Sequence, residues 1–85
     1  MMIRDRLLRY RVMELHTQMI RTGEYHAARK VLRCLNDGYV RLGLDDDSWK
    51  VETELEKLGC RMWYSGNGNR ATAYCLYDNR RRVRA

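Results

Sequence analysis

Leu8, Val12, Leu15 and Met19 recur at spacings of four, three and four, which puts them on one face of a helix. With Ile3 and Ile20 extending the stripe, the pattern predicts a first helix over residues 2–22. Thr22–Gly23–Glu24 interrupts it, and Gly23 suits the left-handed position that ends a helix. A second helix is predicted from Glu24 to about Asn36, apolar at Ala27, Ala28, Val31, Leu32 and Leu35. Asn36–Asp37–Gly38 ends that segment, and Tyr39–Val40–Arg41–Leu42 reads as one further turn before Gly43. Asp45–Asp46–Asp47–Ser48 offers carboxylates to a helix N-terminus, where they cap free N–H groups and oppose the positive end of the dipole. A third helix from about Asp47 to Leu58 would bury Val51, Leu55 and Leu58, with Gly59 as its stop.

Beyond Gly59 the pattern changes to CRMWYSGNGNRATAYC, two aromatic-bearing arms around a glycine-asparagine centre. Asn67–Gly68 is a strong hairpin signal, because both residues tolerate the positive φ of a type I′ turn. That turn pairs Cys60 with Cys75, Met62 with Ala73 and Tyr64 with Ala71 on one face. The face carries no charge and sets large residues against small ones, as packing on helices requires. The other face carries Arg61, Trp63, Ser65, Arg70, Thr72 and Tyr74. The expected fold is therefore α+β, three helices followed by a C-terminal β-hairpin. One domain is expected over residues 1–78, with a basic tail over 79–85.

Composition sharpens this picture. The 85 residues carry a net charge of +6, with 14 arginines against three lysines. Arginine is the better side chain for bidentate phosphate contacts and for stacking on aromatic rings. Charge is also unevenly placed: residues 45–58 carry six carboxylates against Lys50 and Lys57, and the flanking segments are basic. No apolar run reaches the roughly 18–20 residues of a membrane span. The charged start, MMIRDRLLRYR, is unlike a secretory signal, so a cytoplasmic protein without membrane contact is expected. An odd count of three cysteines predicts reduced thiols. Neither a metal site nor another cofactor is expected from the spacing of Cys34, Cys60, Cys75, His16 and His26. The chain holds no phosphate-binding glycine loop, nucleophile elbow or HExxH motif, so a binding protein is expected and not an enzyme.

Residues 35–78 resemble a winged helix-turn-helix domain. LNDGYVRLGL is similar to the segment before the turn, DDDSWKVETELEKLGC to the recognition helix, and RMWYSGNGNRATAYCLYD to the wing and its returning strand. The resemblance implies nucleic-acid binding through the third helix. Here that helix departs from the family, since Asp45, Asp46, Asp47, Glu52, Glu54 and Glu56 would repel phosphate. In length and arginine content the chain also looks like small bacteriophage accessory proteins.

Two sets of candidate residues follow. For DNA or RNA, Arg4, Arg6, Arg9, Arg11, Arg61, Arg70, Arg80, Arg81 and Arg82 would meet phosphates, and Trp63 and Tyr74 would stack on bases. For a protein partner or a second copy of the chain, Asp46, Asp47, Glu52, Glu54 and Glu56 would dock on a basic patch.

Overall fold

The structure is a computed structural model that describes residues 2–75. It is an α+β fold in the order α1 (Met2–Arg21), α2 (Tyr25–Asp37), β1 (Tyr39–Leu42), α3 (Asp46–Leu58), β2 (Arg61–Tyr64) and β3 (Ala71–Tyr74). The expected tail over 79–85 lies outside the described residues. Among the described residues, no helix is long and apolar enough to cross a membrane.

The stripe Leu8, Val12, Leu15 and Met19 is buried, as the periodicity requires. On α2 the buried residues are Ala27, Ala28, Val31, Cys34 and Leu35. Leu32, expected inside, is 40% exposed, because it sits on the flank of the face that Val31 and Leu35 centre. On α3, Val51 and Leu55 are fully buried and Leu58 packs against the core from its edge.

The segment Tyr39–Leu42 is a strand and not the helical turn its sequence suggests. Gly38, at φ 88°, ends α2 in the left-handed region, and its N–H donates to the Cys34 carbonyl at 2.8 Å. From there Val40 and Leu42 alternate into the core while Tyr39 and Arg41 point away, the two-residue period of a strand. Four residues between two glycines make too short a window for helical periodicity to be told from alternation.

This strand changes the architecture around the hairpin. The sheet is antiparallel in the order β1-β3-β2, so β3 is central and pairs on both sides. The hairpin register is the expected one: Arg61 opposite Tyr74, Met62 opposite Ala73, Trp63 opposite Thr72 and Tyr64 opposite Ala71. Its turn is not the expected type I′. The Ser65 N–H donates to the Arg70 carbonyl at 2.9 Å and Gly68 N–H to the Ser65 carbonyl at 3.0 Å. Within the loop Gly68 alone has a positive φ, of 76°. Asn67 acts through its side chain, whose Oδ1 accepts from Ser65 Oγ at 2.8 Å and from Asn69 N–H at 3.0 Å. A longer loop centred on the same residues preserves the pairing, so the faces are those the sequence predicted.

The inner sheet face packs on α2 and α3, and α1 packs on those two helices. One covalent link crosses this core. Cys34 on α2 is bonded to Cys75 at the end of β3, with Cα atoms 6.0 Å apart. The expectation of reduced thiols is corrected for this pair: an odd count leaves one cysteine over, but does not stop two others from meeting. Disulfides persist mainly in oxidising compartments, so this bond and the expected cytoplasmic setting pull in opposite directions. Cys60 is free and buried, and burial pushes its thiol up to about 12.

A polar cluster fixes the entry to α3. Asp45 is the N-cap, its Oδ1 accepting from Ser48 N–H at 2.7 Å and from Lys30 Nζ at 2.6 Å. The Ser48 hydroxyl, fully buried, accepts from Lys30 Nζ at 3.0 Å and from Gly43 N–H at 3.2 Å, and donates to Asp45 Oδ2 at 3.1 Å. Ser48→Ala should cost about 0.5–1.5 kcal/mol, the net worth of a hydrogen bond, because the partly buried Lys30 and Gly43 donors lose this acceptor. Lys30, followed by the Ser48 N–H, holds the Asp45 carboxyl down at about 2, from an ordinary 3.8. A carboxylate with a lowered folded-state pKa stabilises the fold above its unfolded value and loses that contribution as pH falls through the folded one. Urea midpoints should therefore decline between about pH 4 and about pH 2. Asp45→Asn should make that decline shallower.

Candidate nucleic-acid interface

Strand alternation, with helices on the opposite side, turns one set of side chains outward from the sheet. One row across the strands reads Tyr39, Tyr74, Arg61, and the next reads Arg41, Thr72, Trp63. Ser65 and Arg70 close the hairpin end. The Tyr39 and Tyr74 rings lie 6.2 Å apart between centroids, tilted by 36°. Trp63 is 56% exposed and Tyr39 is 41% exposed.

Thr72 explains the shape of this face. It is the short residue in the central strand, flanked by Arg41 and Trp63, and is only 9% exposed. A dip forms over it, a concavity of about 530 Å³ whose wall includes Tyr39, Arg41, Trp63, Arg70 and Tyr74. Among the described residues, no carboxylate lines it. The three rings share the wall with Arg41 and Arg70, while Arg61 lies on the same sheet face outside the lining. Such a face can hold a planar apolar group within and an anion at the rim.

Of the sequence-predicted residues, Arg61, Trp63, Arg70 and Tyr74 come together on this face. Arg6, Arg9 and Arg11 are exposed on α1 and do not line the concavity. Arg4 lies in the N-terminal part of the same helix, and Arg80, Arg81 and Arg82 lie outside the described residues. Sequence reasoning does not single out Tyr39 and Arg41. The signal that could have found them is the alternation Tyr-Val-Arg-Leu, polar or amphipathic residues exchanging with aliphatic ones.

The acidic residues of α3 occupy a different surface. Asp46 and Glu56 are exposed, and Asp47, Glu52 and Glu54 are half-buried. Glu54 lies 3.7 Å from Lys57, and Lys50 reaches away to Glu24 at 2.8 Å. The Tyr64 hydroxyl donates to Glu56 Oε2 at 3.5 Å. Partial burial, then the charges of Glu52 and Glu56, raise the Tyr64 pKa. Leu44 and Trp49, both well exposed, join Tyr64 and Glu52 around a smaller hollow of about 260 Å³. Among the described residues, no group of three or more acidic, cysteine or histidine side chains is placed to hold a metal ion.

Fold and surface together define, among the described residues, a small α+β domain with one sheet face packed on helices and the other aromatic and basic. No protein-family model, curated protein or solved structure matches the chain.

Proposed function

We propose that the protein is a nucleic-acid-binding module, of regulatory or accessory type, that makes contact through the outer face of its sheet. One observation carries this reading: Tyr39, Trp63 and Tyr74 share a face with Arg41, Arg61 and Arg70, and among the described residues no carboxylate lines its concavity. Aromatic rings give bases a stacking partner, and arginines give phosphates bidentate donors. On this reading the β2–β3 hairpin has the part of a wing, and contact passes from the third helix, whose carboxylates repel phosphate, to the sheet.

The test is a titration of the full chain with labelled DNA and RNA over a range of salt. Three arginine–phosphate contacts predict a log–log salt slope of about −2 for a single strand. Tryptophan emission should change in the Trp49→Phe variant, where Trp63 is the remaining tryptophan. Absence of binding at low salt would overturn the proposal.

A second reading has its own observation. Leu44, Trp49 and Tyr64 are exposed around a hollow with Glu52 on its α3 side and Arg70 on its hairpin side. Glu56 meets the Tyr64 hydroxyl, so the α3 side of this apolar patch fits a basic segment of a protein partner. Neutralising Glu52 and Glu56 should abolish that contact. The same change should leave nucleic-acid binding unaltered or strengthened.

A further inference from the structure

The outer sheet face interleaves aromatic rings and arginines in successive rows. Three rings span its strands: Tyr74 on the central strand, Tyr39 beside it on β1, and Trp63 one row along on β2. Its cations alternate with these rings: Arg41 follows Tyr39 on β1, Arg61 precedes Trp63 on β2, and Arg70 stands at the hairpin end. The floor at Thr72 is low, so a planar group entering the dip can lie against the rings and not above them.

A duplex does not fit this order of groups. It turns its phosphates outward and hides the faces of its bases in the stack, offering only base edges in the grooves. Exposed rings of Tyr39 and Trp63 would then meet sugar and phosphate, with no π partner. An unpaired strand presents the reverse arrangement, base faces on one side and backbone on the other.

We infer that this face is a platform for single-stranded nucleic acid, in which Trp63, Tyr74 and Tyr39 stack on unpaired bases while Arg41, Arg61 and Arg70 hold the flanking phosphates. This inference rests on the nucleic-acid reading above and narrows it to a substrate class. Three rings offer stacking positions for roughly two or three bases, the number that aromatic four-stranded sheet platforms stack. Recognition by ring stacking is tolerant of base identity, so discrimination between strands should be modest.

The experiment compares four probes of equal length with the full chain: single-stranded DNA, single-stranded RNA, the DNA duplex, and a strand with abasic sites through its centre. Either single strand should bind at least about tenfold more tightly than the duplex, and abasic substitution should weaken binding by about 5- to 150-fold, the effect of losing a stacked base. Trp63→Ala should bring the intact strand down toward the abasic one, and Trp63→Tyr should restore most of the loss. Trp63 is largely exposed, so circular dichroism of the alanine variant should match the parent. Equal or tighter binding of the duplex, or an abasic strand bound as well as the intact one, would overturn the platform while leaving nucleic-acid binding in place. Failure of all four probes at low salt would overturn both.

Discussion

Removing the Cys34–Cys75 bond is expected to lower the unfolding free energy by roughly 4 kcal/mol, the loop-closure entropy released when a link across 41 positions is cut. A domain of this length has a total stability of roughly 4–13 kcal/mol, so the bond is a large part of it. The midpoint of thermal unfolding should fall by roughly 15–30 °C in the Cys34→Ala/Cys75→Ala variant, and equally on adding reductant to the parent. Reductant should have no effect on the variant, because Cys60 has no partner. Thiol counting after denaturation gives an independent check. One reactive thiol is expected, and three would mean that the bond does not form.

The same bond bears on the proposed binding face. Cys75 follows Tyr74 directly, and its N–H donates to the Gly38 carbonyl at 2.9 Å, beside Tyr39. Reduction should therefore loosen the Tyr39–Tyr74 end of the sheet before the Trp63 end.

The second large effect concerns which arginines matter. Arg41→Ala/Arg61→Ala/Arg70→Ala is expected to weaken single-strand binding by at least about a hundredfold at low salt, since each charge-assisted hydrogen bond contributes about 1.5–3 kcal/mol. The salt slope should shrink toward zero with it, by about 0.7 for each phosphate that no longer meets an arginine. Arg6→Ala/Arg9→Ala/Arg11→Ala removes as much charge from α1 and should weaken binding only a few-fold, through the long-range field alone. Equal losses from the two triple variants would show that net charge, and not the sheet face, governs binding. Neither set of arginines is buried, so both proteins should retain the parent's thermal midpoint.

Much of the fold was legible along the chain because its signals are local. Leu8, Val12, Leu15 and Met19 mark a helical face wherever that helix packs. Asp45 before Asp46–Asp47, and Gly59 after Leu58, bracket α3 by capping chemistry that needs only neighbouring residues. The hairpin register followed from the centre of the loop and the large-small pairing of its inner face. The turn type did not, because a longer loop about the same centre gives the same pairing.

What the sequence determined by itself was three helices, a hairpin with one apolar and one aromatic-arginine face, and an acidic segment between basic ones. Those follow from periodicity, capping and charge, which act over a few residues. Tertiary structure decided the rest. It made Tyr39–Leu42 a strand, because β3 offers that segment a free edge to pair with and the core takes Val40 and Leu42. It brought Tyr39 and Arg41 beside Tyr74 and Thr72, more than thirty positions away, and so completed the face. It joined Cys34 to Cys75 and left Cys60 alone. Each of these depends on which surfaces meet across long loops, and a contact of that kind leaves no periodic trace in the sequence near either partner.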